Sequence, residues 1–269
     1  MKYKCLSIAG FDNSGGAGMQ ADIKTFSATG VYALTVLTAI PIQNTCGVRS
    51  CYSLSLSCIE EQFEVVFDDI KPDVIKIGML FSNEIIELIS FLLQKKAQNI
   101  PIVLDPVMIA KSGDVLLKKD AIYALKTKLL PITNILTPNL PEARELVAKQ
   151  EDKQVLAQRL LDLGCEAVLL KGGHDTSVYS NDLYVSQHCS ATLLAQRINS
   201  TNTHGTGCTL SAAIASFLAQ GFSYLDACKK AKSYLYKAIM YSKDSSLGKG
   251  NGPVHHFYQL DDYLSEKII

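Results

Sequence analysis

Short apolar runs alternate with longer amphipathic stretches along most of the 269-residue chain. The apolar runs are rich in aliphatic and β-branched residues and cover residues 5–9, 33–40, 74–77, 102–104, 135–136 and 167–170. A strand that is apolar at every position is typical of a parallel sheet with both faces covered by helices. These runs therefore predict the buried strands of such a sheet.

The stretches between these runs have helical periodicity. They cover residues 19–28, 60–67, 83–93, 121–129, 141–148 and 154–163, and two closing helices are expected at 205–219 and 225–241. Two further strands at hairpin spacing are expected between residues 177 and 198. The alternation predicts an α/β fold with a central sheet, right-handed crossovers and a ligand site at the carboxyl ends of the strands. Since we find no repeat or linker, we expect a single domain over residues 1–269.

Composition narrows the functional classes. Lys plus Arg equals Asp plus Glu at 26 each, and no stretch combines basic residues with aromatics, so we do not expect a nucleic-acid partner. The uncharged stretch at residues 25–48 contains Gly30, Pro41 and several polar residues, so we do not expect a membrane span. The eight cysteines lack paired or C-x-x-C spacing, which favours reduced thiols, a cytoplasmic protein and no zinc site.

A glycine-rich segment opens the first closing helix. Residues 202–210 read Asn-Thr-His-Gly-Thr-Gly-Cys-Thr-Leu, with Gly205, Thr206 and Gly207 just before Cys208. Glycine lets backbone N–H groups turn inward, and a helix N-terminus carries about half a positive charge. The segment therefore predicts a socket for an anion. The alternative is a glycine loop that only caps a buried helix, with Cys208 as a small buried thiol.

A second glycine-rich loop follows the first strand. Residues 16–21 fit Gly-x-Gly-x-x-Ala, but a dinucleotide site also needs an acidic residue about 20 positions later. Residues 25–59 contain no Asp or Glu. We therefore interpret the loop as a turn where a substrate approaches the backbone, with Asp12 and Asp22 as polar candidates. Alternatively, Asp22 serves only the first turn of its helix.

Polar or soft side chains follow three of the apolar runs. Gln43 and Asn44 can present donors and acceptors to a heterocycle, although amides at a strand end often satisfy only loop backbone. Met79 suits one face of a flat ring. Asp105 begins the loop after the next strand. We expect these three strand ends to converge on one rim of the sheet.

The segment Thr-Pro-Asn-Leu-Pro-Glu-Ala at residues 137–143 opens another helix. Its Asn139 and Glu142 lie about one turn apart, which suits a hydrated Mg²⁺, and a helix cap with a first-turn Glu is the alternative. Residues 171–174, Lys-Gly-Gly-His, follow a strand and suit phosphates. The chain has no Gly-x-x-x-x-Gly-Lys-Ser/Thr, which excludes a P-loop nucleotidase.

Together these segments resemble the hydroxymethylpyrimidine and phosphomethylpyrimidine kinases of thiamin biosynthesis, within the ribokinase-like superfamily. The shared motifs lie at residues 9–10, 14–18, 20–22, 24–26, 43–45, 76–79, 105–108, 137–143, 171–174, 204–208 and 252–256. The family's first motif usually has Pro or Ser where this chain has Asn13, a change that leaves Asp12 and the glycines intact. The resemblance implies a layered α/β fold with a mostly parallel sheet flanked by helices. It also favours a homodimer.

The resemblance implies roles for particular residues. Gln43 would hydrogen-bond the aminopyrimidine, and the other substrate-binding residues would be Gly10, Ala17, Asp22, Met79 and Val107. The ATP-binding residues would be Asn139, Lys171, Gly172, Gly173, His174, Gly207 and Lys232. Asp105 and Glu142 would lie near Mg²⁺.

The resemblance places the catalytic group at Cys208, together with Gly205, Thr206 and Gly207. Most kinases of the superfamily have an aspartate base at the position of Cys208. A helix N-terminus lowers the pKa of a thiol, and phosphoryl transfer depends mainly on positioning and charge stabilisation. We therefore expect Cys208 to be a thiolate of low pKa.

The function that follows is ATP-dependent phosphorylation of 4-amino-5-hydroxymethyl-2-methylpyrimidine, and then of its monophosphate to the diphosphate. A pyridoxal or pyridoxine kinase of the cysteine-bearing branch is the alternative within the class. Two alternatives are not kinases. One is an acyl-transfer enzyme, in which His204 would serve Cys208 as a base, and the other is a pyrimidine- or nucleotide-binding protein without turnover.

Overall fold

The structure, a computed structural model, describes residues 2–108, 121–148, 151–173 and 177–265. Its strands are β1 (Lys4–Ala9), β2 (Tyr32–Leu37), β3 (Ala39–Asn44), β4 (Gly47–Ser53), β5 (Val74–Ile77), β6 (Ile102–Leu104), β7 (Ile135–Leu136), β8 (Ala167–Leu170), β9 (Asp182–Ser186) and β10 (Ser190–Leu193). Its α-helices are α1 (Gly18–Ala28), α2 (Leu56–Asp69), α3 (Asn83–Lys96), α4 (Ala121–Ala124), α5 (Leu140–Val147), α6 (Lys153–Leu161), α7 (Thr206–Ala219), α8 (Tyr224–Ser242) and α9 (Tyr258–Ser265).

Eight of these strands form one sheet in the order β10-β9-β8-β7-β6-β5-β1-β2. Pairing is parallel from β8 through β2, and β9 is antiparallel to both β8 and β10. The predicted fold, an α/β protein with a mostly parallel sheet flanked by helices, is confirmed. The carboxyl ends of the parallel strands meet along one edge, where α7 begins.

Helices cover both faces of this sheet. Successive strand residues point to opposite faces, so each strand packs against both layers of helices. Leu6 and Ile75 belong to a buried cluster with residues of α2, α3, α5 and α6. Cys5 and Val74, one position earlier in each strand, belong to a second cluster with α1, α7 and α8. The strands are therefore mostly apolar, with Ser7 of β1 and Lys76 of β5 as buried polar exceptions, which is why their positions could be predicted closely from the sequence.

The chain leaves the main sheet at Thr38. The sequence predicts one strand over residues 33–40, but β2 ends at Leu37 and β3 begins at Ala39. The Thr38 N–H donates to the Ala9 carbonyl (3.1 Å), and its hydroxyl donates to the Met79 carbonyl (2.7 Å). The chain then pairs with β4 in a separate two-stranded antiparallel sheet.

Two elements, β4 and α9, were not predicted. The predicted helix at 121–129 is present, although its second half (Leu125–Leu129) is π-helical. In the described part of the chain, no helix has the length and apolar character needed to cross a membrane. The single domain over residues 1–269 stays a prediction.

Candidate active site

The N-terminus of α7 lies between two groups of predicted site residues. Gly207 faces one group: a β-carbon built on it would lie 3.2 Å from Asp105 Oδ2 and 3.4 Å from Lys171 Nζ. Gly205 faces the other: its φ is +75°, and a β-carbon would lie 1.8 Å from the Gly16 carbonyl oxygen. The two glycines thus allow α7 to begin in contact with both groups, as a side chain at position 205 would push the loops apart.

On the first side, Lys171 lies between two acidic residues. Its Nζ is 2.8 Å from Asp105 Oδ1 and 3.9 Å from Glu142 Oε2. Burial raises the pKa of Glu142, Lys171 lowers it and Asp105 raises it again, to a value of about 7. Burial alone would lower the pKa of Lys171, but the two carboxylates hold it above its usual range. The cluster therefore combines a fixed positive charge with an acid that titrates near neutrality.

The predicted Asn139–Glu142 pair forms a helix cap. The Glu142 N–H donates to Asn139 Oδ1 (2.9 Å), and the Asn139 N–H donates to Glu142 Oε2 (2.8 Å). The structure therefore shows Asn139 and Glu142 as a helix cap, which was the alternative to a pair of metal ligands. The Glu142 carboxylate also faces Lys171. Among the described residues, no group of three or more His, Cys, Asp or Glu side chains is placed to hold a metal ion.

The loop after β8 continues this side of the site. The Gly172 N–H donates to Asp182 Oδ1 (2.8 Å), and Lys232 Nζ lies 2.8 Å from Asp182 Oδ2. Lys232 also donates to the Ser180 carbonyl (2.5 Å). Asp182, which the sequence analysis did not single out, therefore joins the predicted Lys232 to the glycine loop.

Arg197 also holds this loop. Its guanidinium donates to the carbonyl oxygens of Gly172 (3.3 Å) and Gly173 (3.0 Å). The sequence gives no local signal for this contact, because Arg197 lies 25 residues from Gly172. The predicted His174 lies outside the described residues.

The second side contains the predicted pyrimidine-binding residues. A β-carbon on Gly10 would lie 3.0 Å from Met79 Sδ, so these two residues are neighbours. The Gln43 N–H donates to Asn13 Oδ1 (3.3 Å), which ties the end of β3 to the glycine-rich loop before α1. Gln43 belongs to the hairpin sheet, so the three predicted strand ends do not all come from the main sheet. Val107 is half-buried and lines a small cleft with Gly78.

Asp12 organises the glycine-rich loop. Its carboxylate accepts hydrogen bonds from the N–H groups of Ser14 (3.0 Å), Gly16 (2.9 Å) and Ala17 (2.6 Å). Its Oδ2 also lies 2.8 Å from His204 Nε2. Among the hydrogen bonds of the described residues, none joins the His204 ring to Cys208, so the structure does not show His204 as a base for that thiol.

Behind this loop, Asp22 forms an ion pair with Lys76. Lys76 Nζ donates to both Asp22 oxygens (2.9 and 2.8 Å), and the Ser7 hydroxyl donates to Asp22 Oδ2 (2.6 Å). Asp22 and Lys76 are both fully buried, so the Asp22 carboxylate does not line the surface of the site. Lys76 was missed as a site residue, although a lysine in the apolar strand β5 signals a buried acidic partner.

Cys208 lies at the start of α7, and the backbone of Gly18, at the start of α1, lowers the pKa of its thiol. Burial raises the pKa of this thiol to about 11; Lys76 lowers it, whereas Asp22 and Asp105 raise it. The expectation of a low-pKa thiolate is therefore wrong for this structure. The loss of hydration and the two nearby acids outweigh the attraction of Lys76 in setting the pKa of this thiol.

Comparison with known proteins identifies the family. A family model described as phosphomethylpyrimidine kinase matches residues 12–255. The hydroxymethylpyrimidine/phosphomethylpyrimidine kinase of Salmonella typhimurium is 45% identical over 263 residues, 96% of this chain and 98% of the relative. The Escherichia coli protein of the same name is 44% identical over the same shares of both chains.

Solved structures show the same relationship. Phosphomethylpyrimidine kinase from Clostridium difficile is 42% identical with a TM-score of 0.78, covering 88% of this chain and 100% of that one. Bacillus subtilis pyridoxal kinase, solved as an ADP complex, is 33% identical with a TM-score of 0.87, covering 95% of this chain and 98% of that one. The ribokinase-like fold implied by the motifs is thus confirmed, and the chain belongs to the phosphomethylpyrimidine kinase family.

Proposed function

We propose that this protein transfers the γ-phosphoryl group of ATP to the hydroxymethyl oxygen of 4-amino-5-hydroxymethyl-2-methylpyrimidine, and then to the phosphate of the product. Membership of the family and the names of its relatives support the reaction. One observation in the structure carries the proposal. The start of α7 contacts the Asp105–Lys171 pair on one side and the glycine-rich pyrimidine loop on the other.

This placement suits phosphoryl transfer because the backbone N–H groups at a helix N-terminus stabilise negative charge. The group being transferred would lie at the N–H groups of residues 205–208. Lys171, held between Asp105 and Glu142, supplies a fixed positive charge for the phosphates of ATP. Asn139, Gly172, Gly173, His174 and Lys232 complete the proposed ATP side.

Cys208 is the proposed general base. In its thiolate form the sulfur accepts the hydroxymethyl proton, and the oxygen lone pair forms the new bond to the γ-phosphorus. The bond from that phosphorus to the β,γ-bridging oxygen breaks, and ADP leaves with the electron pair. Because the pKa of the thiol is raised to about 11, only a small fraction of Cys208 is thiolate at pH 7, and Lys76 favours this reactive form.

Asp105 and Glu142 are the proposed ligands for Mg²⁺. Their oxygen donors fit this ion, which keeps several waters and takes only one or two carboxylates from the protein. Repulsion from Asp105 contributes to the raised pKa of Glu142, and a bound cation would relieve it. When bound, Mg²⁺ would neutralise charge between the phosphates.

Structural similarity to pyridoxal kinases, with TM-scores of 0.87 to this chain, supports pyridoxal as the alternative substrate. Sequence identity favours the pyrimidine, at 40–45% for hydroxymethylpyrimidine/phosphomethylpyrimidine kinases against 33–34% for pyridoxal kinases. Gln43 is the proposed reader of the aminopyrimidine, with Gly10, Ala17, Met79 and Val107 around the ring. We also keep the homodimer and the cytoplasmic location as predictions.

Product analysis tests the proposal. The protein is incubated with ATP, Mg²⁺ and the pyrimidine, and the products are identified by mass spectrometry over time. We expect the monophosphate to appear first and the diphosphate to follow. Absence of both products, with ATP and pyrimidine each bound, would indicate a binding protein and contradict the proposed function.

A further inference from the structure

His204 connects the two sides of the proposed site. It immediately precedes Gly205 in the loop that begins α7, yet its side chain reaches back to the glycine-rich loop before α1. His204 Nε2 lies 2.8 Å from Asp12 Oδ2 and 3.2 Å from the Ser14 hydroxyl. Since an ionised carboxylate only accepts hydrogen bonds, the Nε2–H of His204 donates to Asp12.

The Asp12 oxygen that receives His204 also receives backbone donors of the pyrimidine loop. Gly16 and Ala17 both donate their N–H groups to Asp12 Oδ2. Asp12 Oδ2 thus links two parts of the site. It joins the His204 ring, just before the N–H groups of residues 205–208, to Ala17, a proposed wall of the pyrimidine pocket. The Asp12 side chain is fully buried and that of His204 is 12% exposed, so water competes little for these hydrogen bonds.

The surroundings of His204 leave the ring little freedom. A β-carbon on Gly16 would lie 2.7 Å from His204 Cδ2 and 2.7 Å from Pro253 Cβ, so the ring packs directly against the Gly16 backbone. The His204 N–H donates to the Gly252 carbonyl (3.0 Å). A third loop therefore holds the backbone of His204 while its ring holds Asp12.

We propose that His204 is a positioning residue that sets the distance between the bound pyrimidine and the phosphoryl group at α7. The inference rests on the proposed function, since it assigns the two loops to the two reactants. An error of about 1 Å between reacting groups can cost about 100-fold in rate. Loss of the His204–Asp12 hydrogen bond should therefore lower kcat more than it changes substrate affinity.

Substitution at His204 separates the hydrogen bond from the ring. We expect His204→Ala to lower kcat about 100-fold while KM for each substrate changes less than about threefold. His204→Gln keeps an N–H donor at a similar reach and should stay within about fivefold of the parent kcat. His188→Ala, at an exposed histidine in the turn between β9 and β10, is the matched control. An Ala variant with the parent kcat, or a Gln variant as slow as the Ala variant, would overturn the proposal.

A double-mutant cycle tests whether His204 acts through Asp12. Asp12→Asn should also slow the reaction, and the double variant should be no slower than the slower single variant, because both changes break one connection. Effects that multiply in the double variant would show that the two residues act independently, which would contradict the proposed coupling.

Hydrogen exchange tests the coupling without turnover. The amides of Ser14, Gly16 and Ala17, which donate to the Asp12 carboxylate, should exchange faster in His204→Ala than in the parent and at the parent rate in His204→Gln. Unchanged exchange in His204→Ala would overturn the proposal. If the variants show the expected exchange but the parent phosphorylates neither pyrimidine nor pyridoxal, the proposed function is contradicted and the His204–Asp12 coupling is not.

Discussion

Lys76 Nζ lies within 2.9 Å of both carboxylate oxygens of Asp22, and neither side chain is exposed to solvent. Burial alone would lower the pKa of Lys76, but Asp22 holds it above its usual range. Gly78 leaves room for this contact, since a β-carbon there would lie 2.8 Å from Lys76 Nζ. The pair places two opposite charges between β5 and α1, close enough to Asp105 to affect the pKa values of both residues.

Lys76→Met should destabilise the protein by about 3–5 kcal/mol, because it leaves a buried carboxylate without its partner. The double variant Lys76→Met/Asp22→Asn should recover most of this loss, since no uncompensated charge remains. Urea unfolding measures both values. Lys4→Met, which removes a surface ion pair with Asp73, is the control and should cost less than about 1 kcal/mol. A double variant as unstable as Lys76→Met would contradict this account of the pair.

Cys208 should react slowly with iodoacetamide at pH 7. Its pKa is raised to about 11, so the rate should keep increasing above pH 9 instead of levelling near the ordinary pKa of about 8.5. Lys76→Met removes the attraction that favours the thiolate and should slow labelling further. Mass spectrometry follows Cys208, with the exposed Cys46 as the reference in the same sample. Rapid labelling of Cys208 that is complete by pH 7 would contradict the raised pKa.

The main sheet could be predicted closely from the sequence because its strands are buried on both faces. The bounds of β5, β6, β7 and β8 match the predicted runs, since strands between two helical layers are mostly apolar; Lys76 of β5 is the exception, and Asp22 neutralises it. The hairpin of β3 and β4 could not be predicted in this way. Residues 47–53 are mixed in polarity, and the change of sheet at Thr38 depends on its contacts with Ala9 and Met79.

For the site, the local motifs showed which segments take part but not how they pair. Asp105 and Lys171 were predicted separately, and their ion pair depends on adjacent ends of β6, β7 and β8 in the sheet. The Asp12–His204 contact joins residues 192 positions apart. The pKa of Cys208 was predicted in the wrong direction, because burial and neighbouring acids are set by tertiary packing.

Asp12 should stabilise the protein in a pH-dependent way. Burial would raise the pKa of its carboxyl, but hydrogen bonds from His204, Ala17 and Ser14 lower it to about 2. Because the folded pKa lies below the unfolded value of about 3.9, the stabilisation is present above about pH 4 and is lost as the pH falls toward 2. We expect Asp12→Asn to cost about 2 kcal/mol at pH 5 and much less at pH 2. Urea unfolding across this range measures the difference, and a cost independent of pH would contradict the assignment.

Mg²⁺ activation should depend on Glu142 and on pH. The pKa of Glu142 is about 7, so protons compete with the metal at pH 6 and much less at pH 8. We expect the Mg²⁺ concentration for half-maximal activity to fall roughly tenfold from pH 6 to pH 8 in the parent, and much less in Glu142→Gln. Glu145→Gln, an exposed position on the same helix, should behave as the parent does. Identical pH dependence in all three proteins would contradict the role of Glu142.

The choice of substrate is the central claim, and kcat/KM for the hydroxymethylpyrimidine relative to pyridoxal tests it most directly. We expect the parent to prefer the pyrimidine. Gln43→Leu should lower kcat/KM for the pyrimidine by roughly 10- to 100-fold and leave KM for ATP nearly unchanged, since an unpaired buried polar group costs about 1–3 kcal/mol. Asn44→Leu, at the exposed neighbouring position, is the control and should retain the parent preference. A parent that prefers pyridoxal, or a Gln43→Leu variant with unchanged pyrimidine kinetics, would contradict the account.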